Sequence, residues 1–386
     1  MHMRKATAAL VGLLLAGVTA TPAHAETIRS QQWHLDAMKA DEIWKTTTGK
    51  GITVAVIDSG VKDVPELEGQ VLAGKDFATS AAGDERNDVR DHGTSMASLI
   101  AGTGKHPTGD GAYGLAPGVK ILPIRIPAEQ ALTTPSWAEA IRYAADSDAK
   151  IISISQGMAS SPESDGARAE AVRYALSKGK LIFASVGNSG NSTNEVEYPG
   201  ATPGVVGVGA VEANGEPSRE SQHGPQVDLS APGVDIVSAC SATSGVCKGR
   251  GTSAATALTS ASAALLWSAH PEWTNNQVLR VLLNTAGKPA DGTERNDFVG
   301  YGVVRPRIAV PSPGDPGPAD VYPLPDLAAA AGGGKPSASA PAAPAPAPQA
   351  AEEKKGGSSV LWVGLGLGAC VLIGGAVTAV VVRRNR

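Results

Sequence analysis

The 386-residue sequence predicts an α/β fold: a mostly parallel sheet with helices on both faces, followed by one C-terminal transmembrane helix. Three observations carry that reading. Short apolar runs without polar alternation recur along the chain, as strands covered on both faces require. Stretches of helical length fall between them, the pattern of strand–helix–strand crossovers. The last apolar run, Val360–Val382, contains 23 residues and no charge. At 1.5 Å rise per residue that run is long enough to span a bilayer.

The elements follow in chain order. Arg4 and Lys5 precede an apolar run from Ala8 to Val18 and then Ala23-His24-Ala25. A charged start, a short apolar stretch and an A-x-A site describe a signal peptide over residues 1–25, cleaved after Ala25. Residues 26–49 form a short N-terminal extension, and residues 50–310 the folded body. Strands are expected at Ile52–Ile57, Lys120–Ile126, Ile151–Ser155, Leu181–Ser185 and Val205–Ala210. Helices are expected at Gly93–Gly102, Ser136–Asp148, Gly166–Ser177, Thr252–Ala269 and Thr274–Asn284.

Residues 311–359 read as a Pro/Ala/Gly-rich linker. Eleven of the 27 prolines fall between Pro311 and Pro348. Such a composition buries no core and extends as a polyproline tether. The transmembrane helix follows at 360–382, with Cys370 inside it as a small apolar residue. The tail, residues 383–386, carries Arg383, Arg384 and Arg386. Basic residues stay on the cytoplasmic side, so the body is expected outside the plasma membrane, on a single-pass chain. No LPxTG-type pattern precedes the helix, so a sorting signal is not indicated.

Composition excludes several classes. Lys and Arg number 33 against 37 Asp and Glu, a net charge of −4, which offers no bulk attraction to nucleic acid. A hydrophobic content of 42% excludes a wholly disordered chain. Three cysteines exclude a disulfide-rich mini-scaffold. No acidic cluster has the spacing of a strong calcium loop, so no cofactor and no metal site is indicated, with calcium left open.

Four points carry chemistry. Asp58 ends the first expected strand in Val54-Ala-Val-Ile-Asp-Ser-Gly60, where open α/β sheets place their sites. His92, in Asp91-His-Gly-Thr, stands at a helix N-terminus, whose dipole is expected to lower its pKa and keep a neutral base. Ser253, in Gly249-Arg-Gly-Thr-Ser-Ala-Ala-Thr-Ala257, begins a long helix of small residues, whose free N–H groups suit an anion. Asn188, between Gly187 and Ser189-Gly190 after a strand, can donate to a developing oxyanion. Taken singly, each also reads as a cap or turn residue. Together they follow the order Asp, His, Ser, one of the chain orders in which such triads occur.

The V-I-D-S-G, H-G-T, A-x-x-G-N and G-T-S-x-A blocks, in that order over Thr46–Val310, resemble the subtilases, subtilisin-like serine peptidases. The resemblance implies that Asp58 orients the histidine, His92 acts as base and then acid, and Ser253 is the nucleophile. Asn188 and the Ser253 amide would form the oxyanion hole. Ser155, Gln156 and Gly157 would be the substrate-binding strand edge, by β-augmentation. Gly93-Thr-Ser-Met-Ala97 resembles the nucleophile block too, but Ser95 lies within the turn of His92 and is poorly placed for attack. His223 and Asp91 are rivals for base and orienting acid that the same resemblance disfavours. An α/β-hydrolase would need a G-x-S-x-G elbow, which is absent.

Finer wording points to a subgroup. Gln31-Gln-Trp-His-Leu-Asp-Ala-Met-Lys-Ala-Asp-Glu-Ile-Trp44, Tyr198-Pro199, Ser221-Gln-His-Gly-Pro-Gln-Val-Asp-Leu229 and Trp273-Thr-Asn-Asn-Gln-Val278 resemble the mycosins. These are membrane-anchored subtilases associated with type VII secretion. That resemblance implies protein or peptide substrates exported by type VII secretion, and a place at the type VII secretion membrane complex. The alternative it leaves is a structural scaffold of that complex, with proteolysis secondary. Where many mycosins have Asp after the nucleophile, this chain has Ala254. Cys240 and Cys247 are the cysteines outside the membrane segment, and an exported domain suits a disulfide between them. Residues 26–49 are shorter than a folding propeptide. They are expected to pack on the body through Trp33 and Trp44, with no inhibitory prodomain.

Overall fold

The structure, a computed structural model, describes residues 26–78, 82–127, 134–161, 165–242 and 244–331. All of these lie in one compact unit, Met1–Pro336; the second unit, Ser337–Arg386, lies outside the described residues. The signal-peptide segment, the expected membrane helix with Cys370, the basic tail and most of the linker are therefore outside them too. Among the described residues no helix is long and apolar enough to cross a membrane.

Three short helices open the described chain: α1 (Ile28–Gln31), α2 (Trp33–Ala37) and α3 (Ala40–Ile43). Then come β1 (Thr53–Asp58), β2 (Lys75–Asp76), α4 (His92–Ala101), β3 (Lys120–Arg125) and α5 (Thr134–Asp146). Next are β4 (Ile151–Ile154), β5 (Met158–Ala159), α6 (Gly166–Ser177), β6 (Leu181–Ser185), β7 (Glu197–Tyr198) and β8 (Val206–Val211). β9 (Leu229–Pro232), β10 (Ile236–Ala239), β11 (Val246–Gly249), α7 (Thr252–Ala269), α8 (Asn275–Thr285), α9 (Pro306–Ala309) and α10 (Asp326–Ala331) complete it.

Seven strands form one sheet in the order β2-β3-β1-β4-β6-β8-β9, and each neighbouring pair is parallel. Its two faces are buried separately. Val54 and Val56 of β1, Ile151 of β4 and Leu181 and Phe183 of β6 join a core with α4, α7 and α8. The intervening Ala55, Ile57, Ile152, Ile154, Ile182 and Ala184 join a second core with α5 and α6. A period-two strand buried on both faces is apolar at most positions, hence the runs in the sequence that lack polar alternation. The five expected strands and five expected helices lie within two residues of the observed bounds.

Helix α7 runs through the larger core, and its residues from Thr252 to Trp267 are buried apart from Ser253. Three of its interior hydroxyls turn back on the helix: Thr256, Thr259 and Ser262 donate to the carbonyls of Thr252, Ala255 and Leu258. That satisfies buried polar groups without outside partners.

The N-terminal segment packs as expected from its tryptophans. Trp33 Nε1 donates to Val234 O at 3.1 Å, and Trp44 Nε1 to Leu115 O at 2.9 Å. Leu35, Ala40 and Ile43 enter the larger core.

At the other end the packing continues past Val310, where the sequence suggested an extended tether. Arg280 of α8 donates to the carbonyls of Pro316, Pro318 and Val321, and Gln277 Nε2 donates to Gly317 O. Leu324 is 3% exposed within the core, and Gly204 N donates to Asp326 Oδ2. A proline-rich segment has few N–H donors but keeps its carbonyls, and a half-buried guanidinium collects them.

Candidate active site

The site is assembled where β1, β4 and β6 end and where α4 and α7 begin. Asp58, the last residue of β1, is 0% exposed. Its Oδ1 lies 2.8 Å from His92 Nδ1 and accepts from Ser59 N at 2.7 Å. The same oxygen accepts from Gln156 Nε2 at 3.0 Å. Burial pushes the Asp58 carboxyl up, but His92 and these donors outweigh it and hold it below the ordinary carboxylate value.

His92 is the first residue of α4, and its side chain is 31% exposed. The helix start is held by groups on neighbouring loops. Asp88 Oδ2 accepts from Thr94 N and Thr94 Oγ1, and Ser59 Oγ accepts from Gly93 N. These bonds satisfy first-turn amides that have no partner inside the helix. Residue 93 must be glycine here, because a Cβ would sit 2.1 Å from Gly60 O. The expectation that the helix dipole lowers the His92 pKa does not hold. Burial does lower it, but the Asp58 charge and hydrogen bond, with Asp88 behind them, raise it above the ordinary histidine value. A carboxylate in direct contact outweighs a partial charge of about half a unit at a helix end.

Ser253 is the second residue of α7 and is partly exposed. Its Oγ donates to Ser155 O at 2.9 Å, and Ser155 Oγ donates to Ser253 O at 3.2 Å. The hydroxyl is thus turned to the end of β4 in this rotamer. Asn188 follows β6 and accepts through Oδ1 from Thr252 N at 2.8 Å and from Thr252 Oγ1 at 3.2 Å. With its oxygen occupied by α7, the amide leaves Nδ2 as the end able to donate elsewhere.

Hydrogen bonds thus join His92 to Asp58, Asp58 to Gln156, Ser253 to the neighbouring Ser155, and Asn188 to Thr252 beside Ser253, a network drawn from positions spread over nearly two hundred residues. The side chain of Gln156 is buried and turned to Asp58. The rivals turn elsewhere. Asp91 binds Lys62 Nζ and Ser241 Oγ. His223 stacks on Phe298 with ring centroids 5.0 Å apart. Ser95 lies on α4 one turn from His92. Cys240 and Cys247 are joined by a disulfide between β10 and β11. Among the described residues no group of three His, Cys, Asp or Glu is placed to hold a metal ion.

Sequence reasoning missed Ser59 and Asp88, which brace the Asp58–His92 pair, and the inward turn of Gln156. The D-S-G spacing offers a signal for Ser59. Asp88 lies four residues before His92 in a loop and carries no pattern of its own.

Residues 49–302 match the Peptidase_S8 subtilase family. The chain is 31% identical to mycosin-1 of Mycobacterium tuberculosis over 339 residues, covering 74% of this chain and 74% of that protein. The crystal structure of MycP1 from Mycobacterium smegmatis superposes with a TM-score of 0.66 at 28% identity, covering 79% of this chain and 90% of that one. A chain in the periplasmic assembly from the ESX-5 inner membrane complex gives 0.64 at 29%, covering 83% and 90%. The chain spans 63% and 48% of the lengths of the first curated relatives that it matches. With the family match covering most of the folded unit, and the likeness to mycosin-1 reaching beyond it, this chain belongs to the subtilase family, in its mycosin branch.

Proposed function

We propose that the chain is a serine endopeptidase working by acyl transfer, with Asp58, His92 and Ser253 as its triad. Support comes above all from one observation: a fully buried carboxylate 2.8 Å from the ring nitrogen of a partly exposed histidine, with Ser253 hydrogen-bonded to Ser155 on the loop whose Gln156 binds the same carboxylate. Asp58 fixes the ring through Nδ1, so Nε2 is the free base. The Ser253 hydroxyl rotates from Ser155 O toward Nε2, loses its proton there and attacks the peptide carbonyl. The oxyanion is received by Asn188 Nδ2 and the Ser253 amide. His92 then protonates the leaving amine, and water repeats the cycle on the acyl-enzyme. Extended substrate pairs along Ser155–Gly157. No cofactor enters this chemistry.

The same reading extends to place. Residues 1–25 serve as signal peptide, residues 360–382 as the anchor, and the body faces outward at the plasma membrane. Substrates are proteins exported by type VII secretion. The likeness to a chain of the ESX-5 assembly also favours a scaffold role in such a complex, with cleavage secondary. A fluorophosphonate that labels Ser253, together with peptide cleavage, tests the first reading. Secretion restored in a deletion strain by Ser253→Ala supports the scaffold role, and secretion lost with that variant supports the peptidase as the essential function.

A further inference from the structure

We infer that Ser241 and Lys62 are positioning residues for the proposed base: by holding the Asp91 carboxylate they keep the backbone before His92 in the left-handed conformation that aims the imidazole. This inference rests on the endopeptidase reading above. Asp91 is the N-cap of α4, with φ 57° and ψ 8°, a conformation that few residues other than glycine adopt. A Cβ there crowds the following carbonyl, so such a residue stays left-handed only where its surroundings hold it. The conformation matters at this position. Asp91 O accepts from Ser95 N at 3.0 Å, the bond that starts α4, so the Asp91 dihedrals set the direction in which the chain enters the helix at His92.

An aspartate at an N-cap ordinarily accepts from the first-turn amides of its own helix. Asp91 makes no such bond, because Asp88 and Ser59 already serve Thr94 N and Gly93 N. Its carboxylate is turned to other segments. Oδ1 accepts from Ser241 Oγ at 2.5 Å and from Lys62 Nζ at 3.1 Å, and Lys62 Nζ also donates to Ser241 Oγ at 2.7 Å. A hydroxyl closes this triangle by giving its one hydrogen to Asp91 and accepting from Lys62. Burial pushes the Asp91 carboxyl up, but the Ser241 and Lys62 hydrogen bonds outweigh it and hold it below the ordinary carboxylate value. The triangle therefore stays charged where a histidine titrates.

Both partners are themselves anchored to the site. Lys62 lies four residues after Asp58, and its backbone N donates to Thr94 Oγ1 at 3.0 Å, a second grip on the start of α4. Ser241 follows Cys240, whose disulfide to Cys247 ties β10 to β11. Ser98 of α4 donates to Ala239 O at 3.2 Å, at the end of β10. β11 ends at Gly249, four residues before Ser253. The hairpin that holds Asp91 thus leads on to the proposed nucleophile, so one element is tied to both the base and the serine.

The test uses the full chain and a fluorogenic peptide, with kcat taken per site that a fluorophosphonate labels at completion, so that an unfolded fraction does not count. Ser241→Ala is expected to lower kcat about tenfold and to leave KM within about twofold, because the expected substrate strand is untouched. Asp91→Ala is expected to lose at least as much. Asp91→Gly recovers most of that loss, since glycine takes φ 57° without strain. In the Asp91→Gly background Ser241→Ala costs nothing further, because the carboxylate it holds is gone. Equal losses in Asp91→Ala and Asp91→Gly, a Ser241→Ala chain with the parent kcat, or one whose loss lies in KM overturns the inference. A parent with neither label nor cleavage sinks the endopeptidase reading and this inference with it, whereas an active parent matched by Ser241→Ala sinks the positioning role alone.

Discussion

The side-chain amide of Gln156 donates to Asp58 Oδ1 at 3.0 Å, on the very oxygen that meets His92. Both residues are almost wholly buried, at 4% and 0% exposure. A carboxylate shut away from water needs donors to stay ionised, and Gln156 supplies one from the loop after β4. The strand that is proposed to hold substrate is thereby tied to the acid that orients the proposed base.

Gln156 acts here as a positioning residue. Replacing it with Leu removes one hydrogen bond to a buried charge, a change expected to lower kcat/KM about tenfold. A less solvated Asp58 also grips the imidazolium harder, so the acid limb of the pH profile moves up. A loss of activity with the limb unmoved argues for simple structural damage.

Two serines compete for the nucleophile in the sequence. Ser253→Ala is expected to abolish peptide cleavage, while Ser95→Ala keeps most of it. Steady-state kinetics on both variants decide the matter, and the reverse pattern overturns the triad.

The raised pKa of His92 sets the pH dependence. The base must be neutral, so kcat/KM rises with pH along a limb lying above 6.5, the ordinary histidine value. Asp58→Asn removes the charge that raises it, so the limb moves down in pH while the rate falls ~10,000-fold. A parent limb at or below 6.5 contradicts the electrostatics of the pair.

His34 makes the opposite kind of prediction. It is fully buried on α2, neither ring nitrogen has a partner among the described residues, and burial with the nearby Arg29 charge lowers its pKa to about 3. Unfolded, it titrates near 6.5, so its neutral form is matched above that pH and folding loses stability as the pH falls below it toward 3. Two units below, at pH 4.5, the penalty is about 2–3 kcal/mol. Thermal melts of His34→Leu and the parent should diverge in favour of the variant between pH 7.5 and 4.5. Parallel curves reject the burial of a neutral imidazole.

Arg280 tests the extent of the folded unit. Arg280→Ala strips the carbonyls of Pro316, Pro318 and Val321 of their shared donor. A loss of about 2 kcal/mol, or about 4 °C in Tm, is expected, with new protease sensitivity after Pro311. An unchanged melt and digest place that segment outside the cooperative unit.

The sheet was largely legible in the sequence, and so were the residues expected to carry the chemistry. The runs of β1, β4 and β6 are mostly apolar because helices cover both faces, and α7 is built mostly of small residues because it is buried nearly all round. Asp58, His92, Asn188 and Ser253 were legible because each sits at a strand end or helix start within a short, ordered block. Tertiary structure alone decided which way side chains turn between such blocks. The inward amide of Gln156, the Ser253 hydroxyl on Ser155 O, and the Asp91 carboxylate on Lys62 and Ser241 are contacts between distant segments, and no local period encodes them. The proline-rich stretch after Val310 shows the same limit. Its composition reads as unfolded, yet it is held by Arg280, some forty residues earlier, because backbone carbonyls are acceptors whatever the side chain.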